Sequence, residues 1–253
     1  MAVVGVMAVV LLTLSVAACG TGTGQKTTTK AGFPMTNGVA GGAAALAFST
    51  QPAQGISGVP FTPPLAVTVE DSSGKIVANS AAAVSLFFTT SSNTGGATLS
   101  GNTTVNAVNG VATFSDISID KAGSYYSLTA ASPGLASVIS DTFPVKPGKP
   151  TKLVFVTQPV AAAAGAAFST QPVLAIEDAQ GNVVTDSTAP VTLTIQPGTG
   201  TEGAVLTGTT TINAVNGRAS FATISINMAG DDYVVTAESP GLTPVSSNSL
   251  FVG

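Results

Sequence analysis

Apolar side chains fall on alternate positions in short runs through most of the chain. Val67 and Val69 form one such run, Val84, Leu86 and Phe88 a second, and Tyr126, Leu128 and Ala130 a third. A period of two is what a half-buried strand requires, because successive side chains leave a strand on opposite faces. Turn chemistry bounds the runs. Asn109-Gly110 is the strongest short hairpin signal, since both residues accept positive φ. Asp71 followed by Gly74 marks a second turn, opened by an aspartate that bonds its own backbone two residues on, and Ser132-Pro133-Gly134-Leu135 marks a third. Strands this short, punctuated this often, predict an antiparallel sandwich. A helical period is absent beyond the first 18 residues.

The pattern is written twice. Leu46 to Val145 recurs without a gap 107 residues later as Leu153 to Val252. Phe48-Ser49-Thr50-Gln51-Pro52 returns as Phe155-Val156-Thr157-Gln158-Pro159, and Asn106-Ala107-Val108-Asn109-Gly110 as Asn213-Ala214-Val215-Asn216-Gly217. Internal repetition at this period means two copies of one domain. Each copy is about a hundred residues, enough for one hydrophobic core.

Each copy checks the other. Leu174 and Ile176 match Val67 and Val69; Val191, Leu193 and Ile195 match the second run; Tyr233, Val235 and Ala237 match the third. Beyond the Asn-Gly turn, Ala112 and Phe114 match Ala219 and Phe221, while Val111 becomes Arg218. A position that exchanges Val for Arg faces water, so alternation assigns Phe114 and Phe221 to the core. Between the copies, Lys146-Pro147-Gly148-Lys149-Pro150-Thr151-Lys152 is a short, stiff linker, because proline removes backbone donors and restricts its predecessor. The expected organisation is a segment at 1–18, a flexible Gly/Thr-rich tether at 19–45, one sandwich at 46–146, a linker at 147–152 and a second sandwich at 153–253. The sandwiches are expected to stand end to end with limited contact.

These residues are similar to bacterial immunoglobulin-like repeats of the invasin and intimin type. The resemblance is carried by an ordered set: Phe-x-x-Gln-Pro, Glu-Asp-x-x-Gly, Asn-Gly-x-Ala-x-Phe, Ala-Gly, Tyr-x-[Leu/Val]-Thr-Ala and Ser-x-Gly-Leu. It implies an all-β fold, two tandem immunoglobulin-like antiparallel β-sandwich domains, used as spacers or adhesive modules. The chain departs from the pattern in two respects: it shows no large outer-membrane barrel or receptor-binding tip, so the specific activity of the adhesins is not carried over, and the spacing before a tyrosine differs. Two residues, instead of the commoner one, separate Gly123 from Tyr126 and Gly230 from Tyr233, which leaves the tyrosine-corner hydrogen bond of such sandwiches open.

Composition locates the protein. Residues 1–18 are almost unbroken apolar and end in Val16-Ala17-Ala18-Cys19, which reads as an export signal and resembles the lipobox of bacterial lipoproteins. That resemblance implies removal of the signal, a diacylglycerol thioether on Cys19 and a membrane partner reached through that lipid. Residues 1–18 hold no Lys or Arg, a departure from the usual signal, and an uncleaved anchor is the competing reading. As a flexible coil, a tether of about 26 residues would span roughly 25–30 Å.

Charge narrows the function. The chain has 8 Lys and Arg against 12 Asp and Glu, no His, no Trp and one Cys. Mild acidity argues against nucleic acid, which selects a basic stripe. Without histidine the usual imidazole general base and most zinc sites are unavailable, and a single cysteine cannot form an intrachain disulfide. An enzyme is therefore not expected, nor any cofactor.

Candidate sites are few. Glu70-Asp71 and Glu177-Asp178 are acidic pairs present in both copies, weak candidates for calcium against the simpler reading of turn aspartates beside outward glutamates. Asp116 and Asp120 become Thr223 and Asn227, a drift that reads as solvated surface. Tyr125, absent from the second copy, is a weak candidate for stacking on a sugar. The expected role is a non-catalytic, exported cell-envelope lipoprotein with an envelope or host protein as partner, acting in adhesion or as a spacer. A polysaccharide-binding accessory module is the alternative.

Overall fold

The computed structural model describes residues 42–93 and 95–253. The export segment at 1–18, Cys19 and nearly all of the tether lie outside the described residues. Among the described residues there is no helix: the protein is all-β, built of two immunoglobulin-like sandwiches.

In the first copy, one sheet runs Ala45–Thr50, Leu65–Glu70, Val111–Phe114, antiparallel throughout. The other runs Val138–Ile139, Leu128–Ala131, Ala83–Phe88, Thr104–Asn106. It continues past Ser127, where Gly123–Tyr126 pairs with Phe143–Lys146, whose far edge takes Gly55–Ile56 in parallel. The second copy repeats this 107 residues on: Lys152–Thr157, Val173–Glu177 and Arg218–Ser220 form one sheet. Thr211–Asn213, Pro190–Ile195, Val235–Glu238 and Val245–Ser246 form the other. Even the register shift in the first strand returns, between Phe48 and Thr50 and again between Phe155 and Thr157.

Each copy has its own core, and alternation picks its members. Val67, Val69, Val84, Leu86, Phe114 and Leu128 close the first core; Leu174, Ile176, Val191, Leu193, Phe221 and Val235 close the second. The side chains come from both sheets of a copy, so each core is the filling between two faces. The hairpin turns are as the Asn-Gly pairs predict. Asn109 and Gly110 have φ of 52° and 77°, and Val108 and Val111 exchange both backbone hydrogen bonds.

The Gln of the opening motif has a structural reason. Gln51 Oε1 accepts the Asp141 N–H at 3.1 Å, and Gln158 Oε1 accepts the Asn248 N–H at 3.0 Å, tying the first strand to the approach of the last. Both tyrosine corners form: Tyr126 OH donates to the Lys121 carbonyl at 3.1 Å and Tyr233 OH to the Met228 carbonyl at 3.0 Å. The extra residue after Gly123 and Gly230 therefore does not prevent the bond.

Asp116, Thr223 and Asn227 are exposed and Asp120 is half-buried, so the drift does lie at the surface, yet each of these side chains makes a specific bond. Asp116 Oδ1 accepts the Asn102 N–H at 3.0 Å, and Thr223 Oγ1 accepts the Thr209 N–H at 3.2 Å in the equivalent place. Asp120 Oδ1 accepts the Thr98 N–H at 2.6 Å, and Asn227 Oδ1 the Val205 N–H at 2.7 Å. What each position keeps is a side-chain oxygen as acceptor, which Asp, Asn and Thr all supply.

Candidate functional site: the contact between the sandwiches

The two acidic pairs have different fates. In the first copy, Asp71 Oδ1 accepts from the Ser73 N–H and Oγ and from the Lys75 N–H, closing an exposed turn. The Ser73 hydroxyl, then the Ser73 and Lys75 N–H groups, hold its carboxyl below the usual carboxylate range. Glu70 Oε1 accepts from Thr68 Oγ1, and Glu177 pairs with Lys152 at 3.5 Å. The glutamates are half-buried and partnered within their own sheets, and do not stand free on the outer face. Among the described residues no three acidic or cysteine side chains converge.

Asp178 makes the same turn, with Oδ1 accepting from the Gln180 and Asn182 N–H groups at 3.0 and 2.8 Å, yet it is fully buried. Its second oxygen explains why. Oδ2 accepts from Ser57 Oγ of the first sandwich at 2.5 Å and from the Gly148 N–H of the linker at 2.8 Å. Burial alone would raise this carboxyl's pKa. The Ser57 hydroxyl, the Asn182 and Gly148 N–H groups and the Asn182 carboxamide outweigh that and hold it at about 2.

Asn182 completes the contact. Its Oδ1 accepts the Ala122 N–H at 2.9 Å, while Nδ2 donates to the Asp120 carbonyl at 2.8 Å and to Ser57 Oγ at 3.0 Å. Lys121 Nζ donates to the Gln180 carbonyl at 3.4 Å. The contact between the copies is buried at Ser57, Asp178 and Asn182 and closed by hydrogen bonds, which the sequence did not indicate. Single polar residues in turns carry no periodicity, so no pattern pointed to Ser57 or Asn182. A groove of about 350 Å³ opens beside the contact, with Ile56, Val59 and Lys149 on its walls.

Tyr125, the sugar candidate, is 78% exposed. It borders a second cleft of about 290 Å³ together with Ser92, Gly95 and Ser124. Its neighbour Tyr126 points inward, its ring packed 5.5 Å from Phe88 and 6.2 Å from Phe143.

No family model matches the sequence, and no curated protein matches it. Solved structures that resemble it include the Escherichia coli adhesin FdeC (20% identity, TM-score 0.38, covering 85% of this chain and 65% of that one). The Yersinia pseudotuberculosis adhesin InvE is another (14% identity, TM-score 0.35, 82% and 58%). A β-glycosidase from Bacteroides vulgatus is a third (11% identity, TM-score 0.36, 83% and 25%). The chain spans a quarter of the glycosidase's length and less than two thirds of either adhesin's.

Proposed function

We propose that this chain is a non-catalytic, exported cell-envelope protein, held at the membrane by a lipid on Cys19, whose two sandwiches act in adhesion or as a structural spacer. The acidic side chains support it. Asp71, Asp116 and Asp120 hold backbone turns, Glu177 pairs within its sheet, and the fully buried Asp178 joins the two sandwiches. Carboxylates committed to shape in this way are not free for acid–base work, which needs a positioned proton donor or acceptor facing a substrate.

Detergent partition of the protein from its native membranes tests the anchor. The wild type is expected in the detergent phase and Cys19→Ser in the aqueous phase; a variant that stays with detergent removes the lipid. Capture of partners from intact envelope then separates adhesion from spacing. A polysaccharide-binding accessory module is the second reading, favoured by the exposed Tyr125 ring beside its cleft. Saturable binding on a glycan array that is lost in Tyr125→Ala would establish it in place of the first.

A further inference from the structure

We propose that the two sandwiches move as one rigid body through a keyed joint, in which Ser57 and the loop at 120–122 of the first copy recognise the Asp178–Asn182 turn of the second. The keys are residues in which the copies differ. This inference holds whether or not the protein binds a partner.

The framework of the joint exists at both ends of both copies. Ser57 N donates to the Lys146 carbonyl and Ala164 N to the Gly253 carbonyl; Gly58 N donates to the Ile119 carbonyl and Gly165 N to the Ile226 carbonyl. Asp71 N bonds the Lys75 carbonyl as Asp178 N bonds the Asn182 carbonyl, both at 2.9 Å. The backbone therefore offers the same tail face and the same head turn twice. Side chains do not. Ser57 is replaced by Ala164, Lys121 by Met228, Gln180 by Ser73 and Asn182 by Lys75 in the matching positions.

Those replacements remove the joint's chemistry. A tail face with Ala164 has no hydroxyl to give to a buried carboxylate. A head turn with Lys75 has three donors and no acceptor, so it cannot take the N–H that Ala122 gives to Asn182 Oδ1. Asn182 fits because its carboxamide supplies both a donor and an acceptor to a loop that shows one carbonyl and one N–H. The first copy's tail and the second copy's head are matched to each other, and the two remaining ends are not. The order of the copies is written in these positions, and a second chain does not stack head to tail through them.

Rigidity follows from how the contact is closed. Small polar domain interfaces ordinarily let domains move. Here the charge is desolvated, and a partial opening that parts one donor before water reaches Asp178 leaves a buried carboxylate short of a partner, a large penalty that opposes small hinge movements. The linker is pinned as well: Gly148 N to Asp178 and Thr151 N to the Glu177 carbonyl, both at 2.8 Å.

Spin-label distance measurement on the full chain tests this, with cysteines at the exposed, equivalent positions Thr113 and Ser220 in a Cys19→Ser background. Each variant borrows a residue that the fold already carries in the other copy, so the sandwiches remain folded. The wild type is expected to give one narrow distance distribution. Ser57→Ala with Asn182→Lys is expected to broaden it at least about twofold, while Lys75→Asn with Ala164→Ser, at the equivalent positions outside the joint, leaves it narrow. A broad distribution in the wild type, a narrow one in the joint variant, or a broad one in the variant outside the joint overturns the proposal.

Discussion

The Ser57 hydroxyl stands 2.5 Å from Asp178 Oδ2, joining side chains 121 residues apart in sequence and in different sandwiches. The carboxylate at that contact is held at about pKa 2 by its hydrogen bonds, against the opposing effect of burial. Undocked and solvated, it keeps the N–H donors of its own turn, as the exposed Asp71 does, and so rises toward the usual value of about 3.9 without reaching it. A depressed folded pKa gives stability that is complete above the free value and is lost as pH falls through the folded one. Coupling between the sandwiches is therefore expected to be constant from neutral pH to about 4.5 and to fall between about 4 and 2, by less than about 2 kcal/mol, because only the Ser57 and Gly148 bonds are made from outside the second sandwich. The other charged side chains on the contacting elements are Lys121, Lys146, Lys149, Lys152, Asp120 and Glu177. Acid titration of the inter-sandwich distance width reads the effect. Asp178→Asn should remove this pH dependence, whereas Asp71→Asn, at the equivalent exposed turn, should leave it in place.

Gln51 and Gln158 each carry one long-range hydrogen bond to a backbone N–H, at 3.1 and 3.0 Å. Replacing either with alanine removes a bond worth about 1 kcal/mol net. In a domain of about a hundred residues that lowers the melting temperature by about 4–8 °C. The loss should appear only in the copy that carries the substitution, as a shift of one component in calorimetry. An equal shift of both would mean that the bond acts through the joint.

The two tyrosine corners are alike in geometry and differ in what they hold. Tyr126 fixes the carbonyl of Lys121, between Asp120 and Ala122, whose backbone groups receive Asn182. Tyr233 fixes the carbonyl of Met228, in a loop with no such partner among the described residues. Phenylalanine at either position is expected to cost about 1 kcal/mol of local stability. Tyr126→Phe should in addition widen the inter-sandwich distance distribution, and Tyr233→Phe should not. If both variants widen it, the corner acts on the fold in general and not as a positioning residue for the joint.

The fold was legible because its determinants are periodic. Val67, Val84, Leu128 and their partners at Leu174, Val191 and Val235 alternate with variable positions, and burial follows that alternation. The joint was not legible, because a hydroxyl at Ser57 and a carboxamide at Asn182 look like ordinary turn residues until the chain is folded. Comparing the copies misled in one respect. Change from Asp120 to Asn227 resembles drift, although both supply the same acceptor oxygen to the same backbone position. Change from Lys75 to Asn182 has the same appearance and does alter the chemistry. Only the partner across the contact distinguishes the two cases, and a single copy does not contain it.

Gly110 and Gly134 separate two reasons for glycine in these turns. Both have left-handed backbones, with φ of 77° and 78°. A Cβ on Gly134 would meet nothing within 4 Å, while one on Gly110 would lie 2.5 Å from the Val77 carbonyl oxygen and 2.8 Å from the Ile76 side chain. Gly134→Ala is therefore expected to show the conformational penalty alone, about 1–2 kcal/mol. Gly110→Ala adds displacement of the backbone at Val77, a further penalty of about 1–3 kcal/mol. Chemical denaturation of the two variants side by side measures the difference. The Val77 carbonyl follows the strand Leu65–Glu70 through its partner Val69, whose carbonyl accepts the Val77 N–H. Crowding there pushes on the centre of the first sheet, so the extra loss should come with a shift in the amide resonances of Val69. Equal losses in the two variants would show that the Asn-Gly turn is kept for its φ alone, and that the hairpin can move away from Val77 at no cost.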